Sequence, residues 1–452
     1  MKKLFLLICL LPFALLLFSG EQQRVAYKPE LFYLGGIQIN EADNLSWMNM
    51  LKQADMNTIE VTVYAEQGEW DSDSLRFDEK NEKVLSEIRT AKKAGINVVL
   101  ILRVALDYSF MRNRFMWHGM ILPKNEQLLA NWFDRYEAFA MKWATIAAEE
   151  QVDVFSIGSE MNALSSTFTV WSIPPLYAYY NDIEAQNRSE RRALKYESIL
   201  KKEDYWVWGY DNYPSLKTYL EDRIQYNYTW GQQATFAGKK NRLSLMNQRR
   251  KQSLMAWKKL IKQVRTVYKG QLTYAANFDN YMEVAFWDDL DFIGINAYFG
   301  LRNANRKVED ATELKESLER GWKNVFYEID AFRTTYGLKD KPMIFTELGY
   351  VNRENTTLAP WAGFGYSIVG TNKNERVIVW KREKEDLEER KFAMDALYKV
   401  VKQQQINLEG ILYWKLTTHD YHLPHEPFAL HLTPNAKDSL QTSLAQFARL
   451  DD

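Results

Sequence analysis

Eight short apolar segments, separated by amphipathic stretches, constrain the fold of this chain more than any other feature. Each segment is rich in β-branched and aromatic residues, and most are continuously apolar, as expected of parallel strands covered on both faces. They begin at Leu31, Asn57, Ile96, Val152, Gln271, Leu290, Pro342 and Leu408. Helical patterns lie between them, at residues 42–54, 79–94, 126–150, 239–268, 308–336, 385–405 and 436–448. This alternation predicts an α/β protein with a single (β/α)8 TIM barrel.

An open, doubly wound sheet is the main alternative fold. Such a sheet would place a glycine-rich phosphate loop between its first strand and first helix. Gly35 and Gly36 instead lie inside the first strand segment, so the sequence favours the barrel.

A long insertion follows the fourth strand. We expect a catalytic domain over residues 28–452, in which residues 161–240 form an aromatic-rich insertion. Loops that follow strand ends lie over the mouth of a barrel, so the insertion would wall a ligand cleft there. The alternative is a helical excursion that buries its own aromatic residues. Residues 352–376, after the seventh strand, are rich in Gly, Asn and Thr and are predicted to form a loop.

The N-terminus has the pattern of an export signal. Lys2 and Lys3 precede an apolar run that ends at Ser19 and Gly20, so residues 1–20 are predicted to be a signal peptide, with an uncleaved anchor as the alternative. The only cysteine, Cys9, lies within it. We expect an exported protein, periplasmic or extracellular, with no membrane insertion beyond this segment.

Composition narrows the classes of partner. The formal net charge is −1, without the basic excess that nucleic acid binding requires. Aromatic residues make up 14% of the chain, which fits either a sugar-binding cleft or a bulky core. We therefore expect a carbohydrate partner, no nucleic acid and no cofactor; the oligomeric state stays open.

Two glutamates follow strands too apolar to carry a charge without a hydrogen bond or a function. Glu160 ends VDVFSIGSE and Glu347 lies in PMIFTELGY. Because strand ends of a parallel barrel meet on one face, these carboxyl groups are expected to share a pocket. Glycosidic bond cleavage needs such a pair, about 5 to 5.5 Å apart in retaining enzymes and about 6.5 to 9.5 Å in inverting ones. The alternative is that each glutamate caps a helix or pairs with a basic neighbour.

Five segments in order resemble the clan A glycoside hydrolases, and most closely glycoside hydrolase family 113, the β-1,4-mannanase family. They are residues 117–121 (WHGMI), 155–160 (FSIGSE), 272–279 (LTYAANFD), 291–298 (DFIGINAY) and 341–350 (KPMIFTELGY). The resemblance implies a retaining endo-β-mannanase with Glu160 as acid/base and Glu347 as nucleophile. Ser159 departs from the clan pattern, which places Asn immediately before the acid/base; Asn162 or Asn277 would then take over its contact with the sugar.

Further residues are candidates for substrate binding. Tyr298 is expected to hydrogen-bond the nucleophile, and Trp414 resembles the aromatic floor under the sugar at the cleavage point. Trp117, Asn277 and Asn296 complete the predicted binding set. Arg103 and His118 are hydroxyl or carboxylate contacts or structural residues, and Asp279 binds a hydroxyl group or forms a turn. The four histidines His419, His422, His425 and His431 do not match a zinc ligand spacing, so no metal is predicted.

Three alternative functions remain. The enzyme would cleave another β-glycan, or it would cleave sugars from the ends of a glycan in a pocket closed by the insertion. From a different class, the barrel would bind carbohydrate without turnover.

Overall fold

Eight parallel β-strands close into a barrel in the computed structural model. They are β1 (Tyr33–Gln38), β2 (Thr58–Gln67), β3 (Asn97–Leu106), β4 (Val154–Ser159), β5 (Gln271–Asn277), β6 (Ile293–Asn296), β7 (Met343–Leu348) and β8 (Leu408–Thr417). Each strand pairs in parallel with its successor, and β1 pairs with both β2 and β8, which closes the ring. The predicted TIM barrel is confirmed.

Helices cover the outside of the ring. They are α1 (Asn44–Gln53), α2 (Glu82–Ala94), α3 (Glu126–Glu149), the single turn α4 (Asn162–Ser165), α5 (Arg242–Val267), α6 (Ala311–Thr335), α7 (Glu388–Gln404) and α8 (Ser439–Ala445). Side-chain caps define several starts, for example Asp310, which accepts hydrogen bonds from two backbone N–H groups of α6. Gly95, with φ of 70°, ends α2 in the left-handed conformation that glycine adopts most readily.

The connection between β5 and β6 has no α-helix. Two 3-10 turns, Tyr281–Glu283 and Trp287–Asp289, occupy this short stretch. Aromatic side chains of this stretch pack outside the barrel instead, and Phe286, between the two turns, stacks on Trp257 of α5 with ring centroids 5.3 Å apart.

The barrel interior changes from apolar to polar toward the C-terminal ends of the strands. One buried apolar cluster fills its lower part: Tyr33, Val99, Ile101, Val154, Ala275, Phe292, Ile344 and Leu412. Above it lie buried polar and charged side chains: Glu60, Arg103, Ser159, Asn296, Thr346 and Glu347. Burying so many polar groups costs free energy unless they pair with one another or belong to a functional site. The functional site is therefore expected at the mouth of the barrel.

The glycine pair in β1 has a packing role. A Cβ atom on Gly35 would lie 1.7 Å from the carbonyl oxygen of Thr58, and one on Gly36 would lie 2.2 Å from that of Tyr413. The first strand therefore approaches both neighbours too closely for any side chain at these positions.

A small antiparallel sheet joins two loops that follow strand ends. Ser367–Val369 pairs with Val377–Lys381, which pairs with Tyr205–Trp206 of the insertion. The prediction of a loop throughout residues 352–376 is thus wrong over Ser367–Val369. The Gly, Asn and Thr content suggested a loop, but the β-branched run at 368–369 finds a pairing partner at 377–379.

The structure describes residues 32–77, 81–113, 116–169, 191, 205–206, 214–222, 224–225, 242–302, 308, 310–361, 367–369, 377–381 and 384–450. The predicted signal peptide, the predicted domain start at residue 28 and most of the predicted insertion at 161–240 lie outside these ranges. Within them, no helix is both long and apolar enough to cross a membrane.

Candidate active site

Glu160 and Glu347 both lie at the C-terminal mouth of the barrel and are almost completely buried. Glu160 follows the last residue of β4 and is 8% exposed, and Glu347 belongs to β7 and is 2% exposed. The backbone of Glu160 has φ of 52°, a left-handed conformation that is uncommon for glutamate. Its N–H donates to the carbonyl oxygen of Ala275 on β5 at 2.9 Å, which fixes this conformation against the neighbouring strand. Such outliers occur preferentially at functional sites.

His118 is the direct partner of Glu160. Its Nε2 lies 3.0 Å from Oε2 of the carboxyl group, and its ring rests against that of Trp117, with centroids 4.9 Å apart. Burial raises the pKa of Glu160, but the hydrogen bond with His118, the positive charge of Arg103 and a hydrogen bond from Asn296 outweigh burial and lower it to about 2. The carboxyl group is therefore ionised in the unliganded protein at neutral pH.

Glu347 is held by two donors from other strands. The guanidinium of Arg103, on β3, donates to Oε1, and the phenol of Tyr298, just beyond β6, donates to Oε2 at 2.7 Å. Burial raises the pKa of Tyr298 well above its usual value, so the phenol remains a donor. Both carboxylate oxygens are thus occupied by donors that favour the ionised form. The predicted contact between Tyr298 and the glutamate of strand 7 is present.

Arg103 connects the two halves of the site. Besides Glu347 it donates to Oγ of Ser159 at 3.1 Å, and its Cζ lies 5.3 Å from the ring centroid of Trp414. Burial lowers the pKa of Arg103, but the nearby carboxylates, led by Glu160, raise it above its ordinary value, so the guanidinium stays charged. The sequence left Arg103 open between a hydroxyl contact, a carboxylate contact and a structural role, and the structure pairs it with the carboxylate of Glu347.

Ser159 and Asn296 form a polar floor between the glutamates. Nδ2 of Asn296 donates to Oγ of Ser159 at 3.5 Å, and Thr346 donates to Oδ1 of Asn296 at 2.8 Å. Ser159 therefore accepts hydrogen bonds from Arg103 and Asn296. An amide side chain still reaches Glu160, because Asn296 supplies it from strand β6.

The other predicted binding residues lie around this floor. Trp414, on β8, is half-buried, and the peptide bond that joins it to Lys415 is cis. Trp414, His118 and Arg103 line a cavity of about 510 Å³ together with Glu60 and Tyr64. Trp117 is half-buried beside His118.

Asn277 and Asn162 turn out to have local partners. Oδ1 of Asn277 accepts from the N–H of Phe278 at 2.9 Å, a turn-forming contact, although its amide remains at the end of β5. Asn162 donates to Asp279 at 3.2 Å, so these two polar residues bridge the loops after β4 and β5.

Glu60 is a third buried carboxyl group that the sequence analysis missed. It lies on β2, is 1% exposed, and accepts from Thr62 at 3.1 Å, while Oε2 is buried with no hydrogen-bond partner in the described part of the chain. Burial raises its pKa to about 7, against the opposing charge of Arg103. The available signal was a glutamate at an inward position of the otherwise apolar strand segment NTIEVTVYA.

The histidines after β8 have separate contacts. His419 lies 3.4 Å from a carboxylate oxygen of Glu41, and Nε2 of His431 lies 3.1 Å from the carbonyl oxygen of Thr418. The first contact ties the loop after β8 to the loop after β1, and the second lies within the segment after β8. No cluster of potential metal ligands occurs among the described residues.

Comparison with known proteins identifies the family. The family Glycoside Hydrolase Family 113 matches residues 36–173 and 244–404, about two thirds of the chain, and the unmatched residues 174–243 include most of the predicted insertion. A GH113 β-mannanase from Alicyclobacillus acidocaldarius in complex with ManMIm is 13% identical over 94% of this chain and 99% of its own, with a TM-score of 0.56. The complex structure of a GH113 β-1,4-mannanase is 14% identical, over 93% of this chain and 99% of its own, with a TM-score of 0.55. Curated proteins give no match. With its TIM barrel and the family match over most of its length, the chain belongs to glycoside hydrolase family 113.

Proposed function

We propose that this glycoside hydrolase cleaves β-1,4-mannan within the chain and with net retention, using Glu347 as nucleophile and Glu160 as acid/base. The observation that carries the proposal is the different environment of the two glutamates at one barrel mouth. Glu347 is bonded to two fixed donors, Arg103 and Tyr298, and Glu160 faces a single titratable partner, His118. The substrate class is supported by similarity to proteins described as β-mannanases.

In the first step the ionised Glu347 attacks the anomeric carbon. The glycosidic bond breaks, its oxygen takes a proton from the carboxyl group of Glu160, and a glycosyl-enzyme ester forms on Glu347. Arg103 and Tyr298 fix the attacking carboxylate in place, which lowers the entropic cost of reaching the reactive geometry. As the ester forms, Glu347 loses its negative charge, and the bond with Arg103 weakens.

Glu160 must acquire a proton before it can act as the acid. A sugar that enters the cleft displaces water from the carboxyl group, and loss of hydration raises its pKa. Nε2 of His118, at 3.0 Å from Oε2, holds the carboxyl group in position while it takes that proton from solvent. The protonated carboxyl group then gives the proton to the leaving oxygen.

In the second step Glu160, ionised again, accepts a proton from water. The resulting hydroxide attacks the anomeric carbon, the ester bond to Glu347 breaks, and the product leaves with its original configuration. The low pKa of Glu160 in the unliganded site suits this return to the ionised form.

The aromatic residues position the sugar at the cleavage point. The half-buried ring of Trp414, next to the guanidinium of Arg103, offers an apolar face to the C–H groups of a pyranose ring. The amide of Asn277 stands at the end of β5 and supplies donors for hydroxyl groups, whereas that of Asn296 already donates to Ser159 and Glu160.

Proton NMR of the first products tests the reaction and its stereochemistry. Mannohexaose should yield the β-anomer before mutarotation, and Glu347→Gln should lose at least about a thousandfold in kcat. Glu316→Gln, an exposed carboxyl group on α6, is the matched control and should remain fully active. Initial release of the α-anomer would mean inversion, and full activity of Glu347→Gln would remove Glu347 from the mechanism. Measuring kcat/KM in the same way on β-glucan and xylan oligosaccharides decides which glycan is the preferred substrate.

A further inference from the structure

We propose that Trp361 and Phe278 form an aromatic platform that binds a sugar of the leaving group, on the Glu160 side of the cleavage point. This inference rests on the proposed function, because it assigns Glu160 as the group that protonates the leaving oxygen. It adds a specificity-determining pair outside the floor described above.

The exposure and stacking of Trp361 are the first observation. Its side chain is 46% exposed, whereas the other tryptophans whose burial the structure describes are buried or half-buried. Its ring stacks on that of Phe278, with centroids 5.2 Å apart and planes 16° apart. One face of the indole is thus supported by a partner, and the stack presents a flat apolar surface to the outside.

The platform is packed against the catalytic floor. Phe278 contacts the buried cluster of Tyr298, Val351 and Phe428, which also contacts Trp414. Tyr298 in turn donates to Glu347. Phe278 is therefore linked to Glu347 through the Tyr298 cluster, and Trp361 extends this aromatic surface outward.

The neighbours of Phe278 place the platform on the acid/base side. Asp279, the next residue, is exposed and accepts a hydrogen bond from Asn162, which lies two residues after Glu160. The leaving sugar departs toward the group that protonates its oxygen. It therefore moves toward the loops after β4 and β5, where Phe278, Asp279 and Asn162 lie.

The chemistry of this surface suits a pyranose. Apolar sugar C–H groups gain contact area on an indole face, and the side-chain oxygens of Asp279 accept hydrogen bonds from hydroxyl groups at its edge.

Two substrates separate a leaving-group contact from a general defect. Mannohexaose places sugars on both sides of the cleaved bond, whereas a nitrophenyl β-mannobioside has no sugar in its leaving group. Trp361→Ala should lower kcat/KM for mannohexaose about tenfold or more, a loss expected from one aromatic contact. Its kcat/KM for the aryl substrate should stay within about twofold of the wild-type value. Trp361→Phe should retain most of the activity on mannohexaose.

Tyr327→Ala is the matched control. Tyr327 is 77% exposed on the outer face of α6, and its removal should change neither substrate. If Trp361→Ala lost kcat/KM equally on both substrates, or on neither, the platform would be overturned and the proposed function would still stand. If wild-type protein turned over no mannan, glucan or xylan oligosaccharide, the proposed function and the platform would both fall.

Discussion

The phenol of Tyr298 donates a 2.7 Å hydrogen bond to Oε2 of Glu347, and the guanidinium of Arg103 donates to Oε1 of the same carboxylate. Tyr298 lies just beyond β6 and Arg103 on β3, so Glu347 is fixed only when the barrel closes. In the proposed mechanism, donors on both oxygens orient Glu347 for attack before substrate arrives.

Removing the phenol hydroxyl should impair catalysis more than binding. We expect Tyr298→Phe to lower kcat about ten- to a hundredfold with little change in KM, because the hydrogen bond orients the nucleophile and leaves sugar contacts in place. Steady-state kinetics on mannohexaose measures both constants. An increase in KM alone would instead place Tyr298 among the binding residues.

Removing the imidazole of His118 should move the pH dependence upward. The kcat/KM value reports the unliganded enzyme, and it falls where the acid loses its proton. Burial raises the pKa of Glu160 and the His118 contact lowers it, so His118→Ala should raise this pKa from about 2 and shift the alkaline limb to higher pH. His425→Ala, an exposed histidine after β8, is the control and should leave the limb in place. An unshifted limb in His118→Ala would show that the contact does not set the proton affinity of Glu160.

Glu60 should make stability depend on pH. The ordinary pKa of its carboxyl group is 4.5, and burial, which disfavours the charged form, raises that pKa to about 7 in the fold. The folded-state pKa is raised, so the stabilising contribution is complete below about pH 4.5 and is lost as pH rises through 7. Glu60→Gln should therefore be more stable than wild type at pH 8 by about 3 kcal/mol, and nearly equal to it at pH 4. Urea unfolding at both pH values measures this difference, and a gap that does not change with pH would contradict it.

Arg103 should be needed for folding as well as catalysis. Arg103→Met removes the charge that compensates the buried carboxylate of Glu347, and breaking a buried pair by deleting one partner costs about 3–5 kcal/mol. Arg89→Met deletes an exposed arginine that pairs with Glu150, and should change stability far less. Urea midpoints of the two variants make the comparison. Equal stability of both variants would show that Glu347 is neutral in the fold.

The barrel was predictable because its signals are local. Continuous apolar runs give buried parallel strands, and a carboxylate at the end of such a run is unusual enough that the sequence alone selects Glu160 and Glu347 as candidates, which the structure places at the barrel mouth. The contact of Tyr298 with Glu347 also followed from position, because the ends of β6 and β7 are adjacent in the ring.

The remaining features depend on contacts between distant segments. Arg103 and Glu347 are paired across the barrel, and nothing near either residue in the sequence specifies the other. The strand Ser367–Val369 forms only because Val377–Lys381 is available to pair with it. Glu60 was overlooked because it lies within an apolar strand, where inward and outward positions differ only by alternation.

The central claim is that Glu347 forms a covalent bond to the sugar. The protein is incubated with a 2-deoxy-2-fluoro mannosyl fluoride. The 2-fluoro group slows hydrolysis of the ester more than the fluoride leaving group allows its formation to slow, so the intermediate accumulates and can be detected by mass spectrometry. We expect one fluorosugar per protein molecule, on the peptide that contains Glu347, and no labelling of the Glu347→Gln variant. Labelling of another residue, or turnover without any labelled protein and with an inverted product, would contradict it.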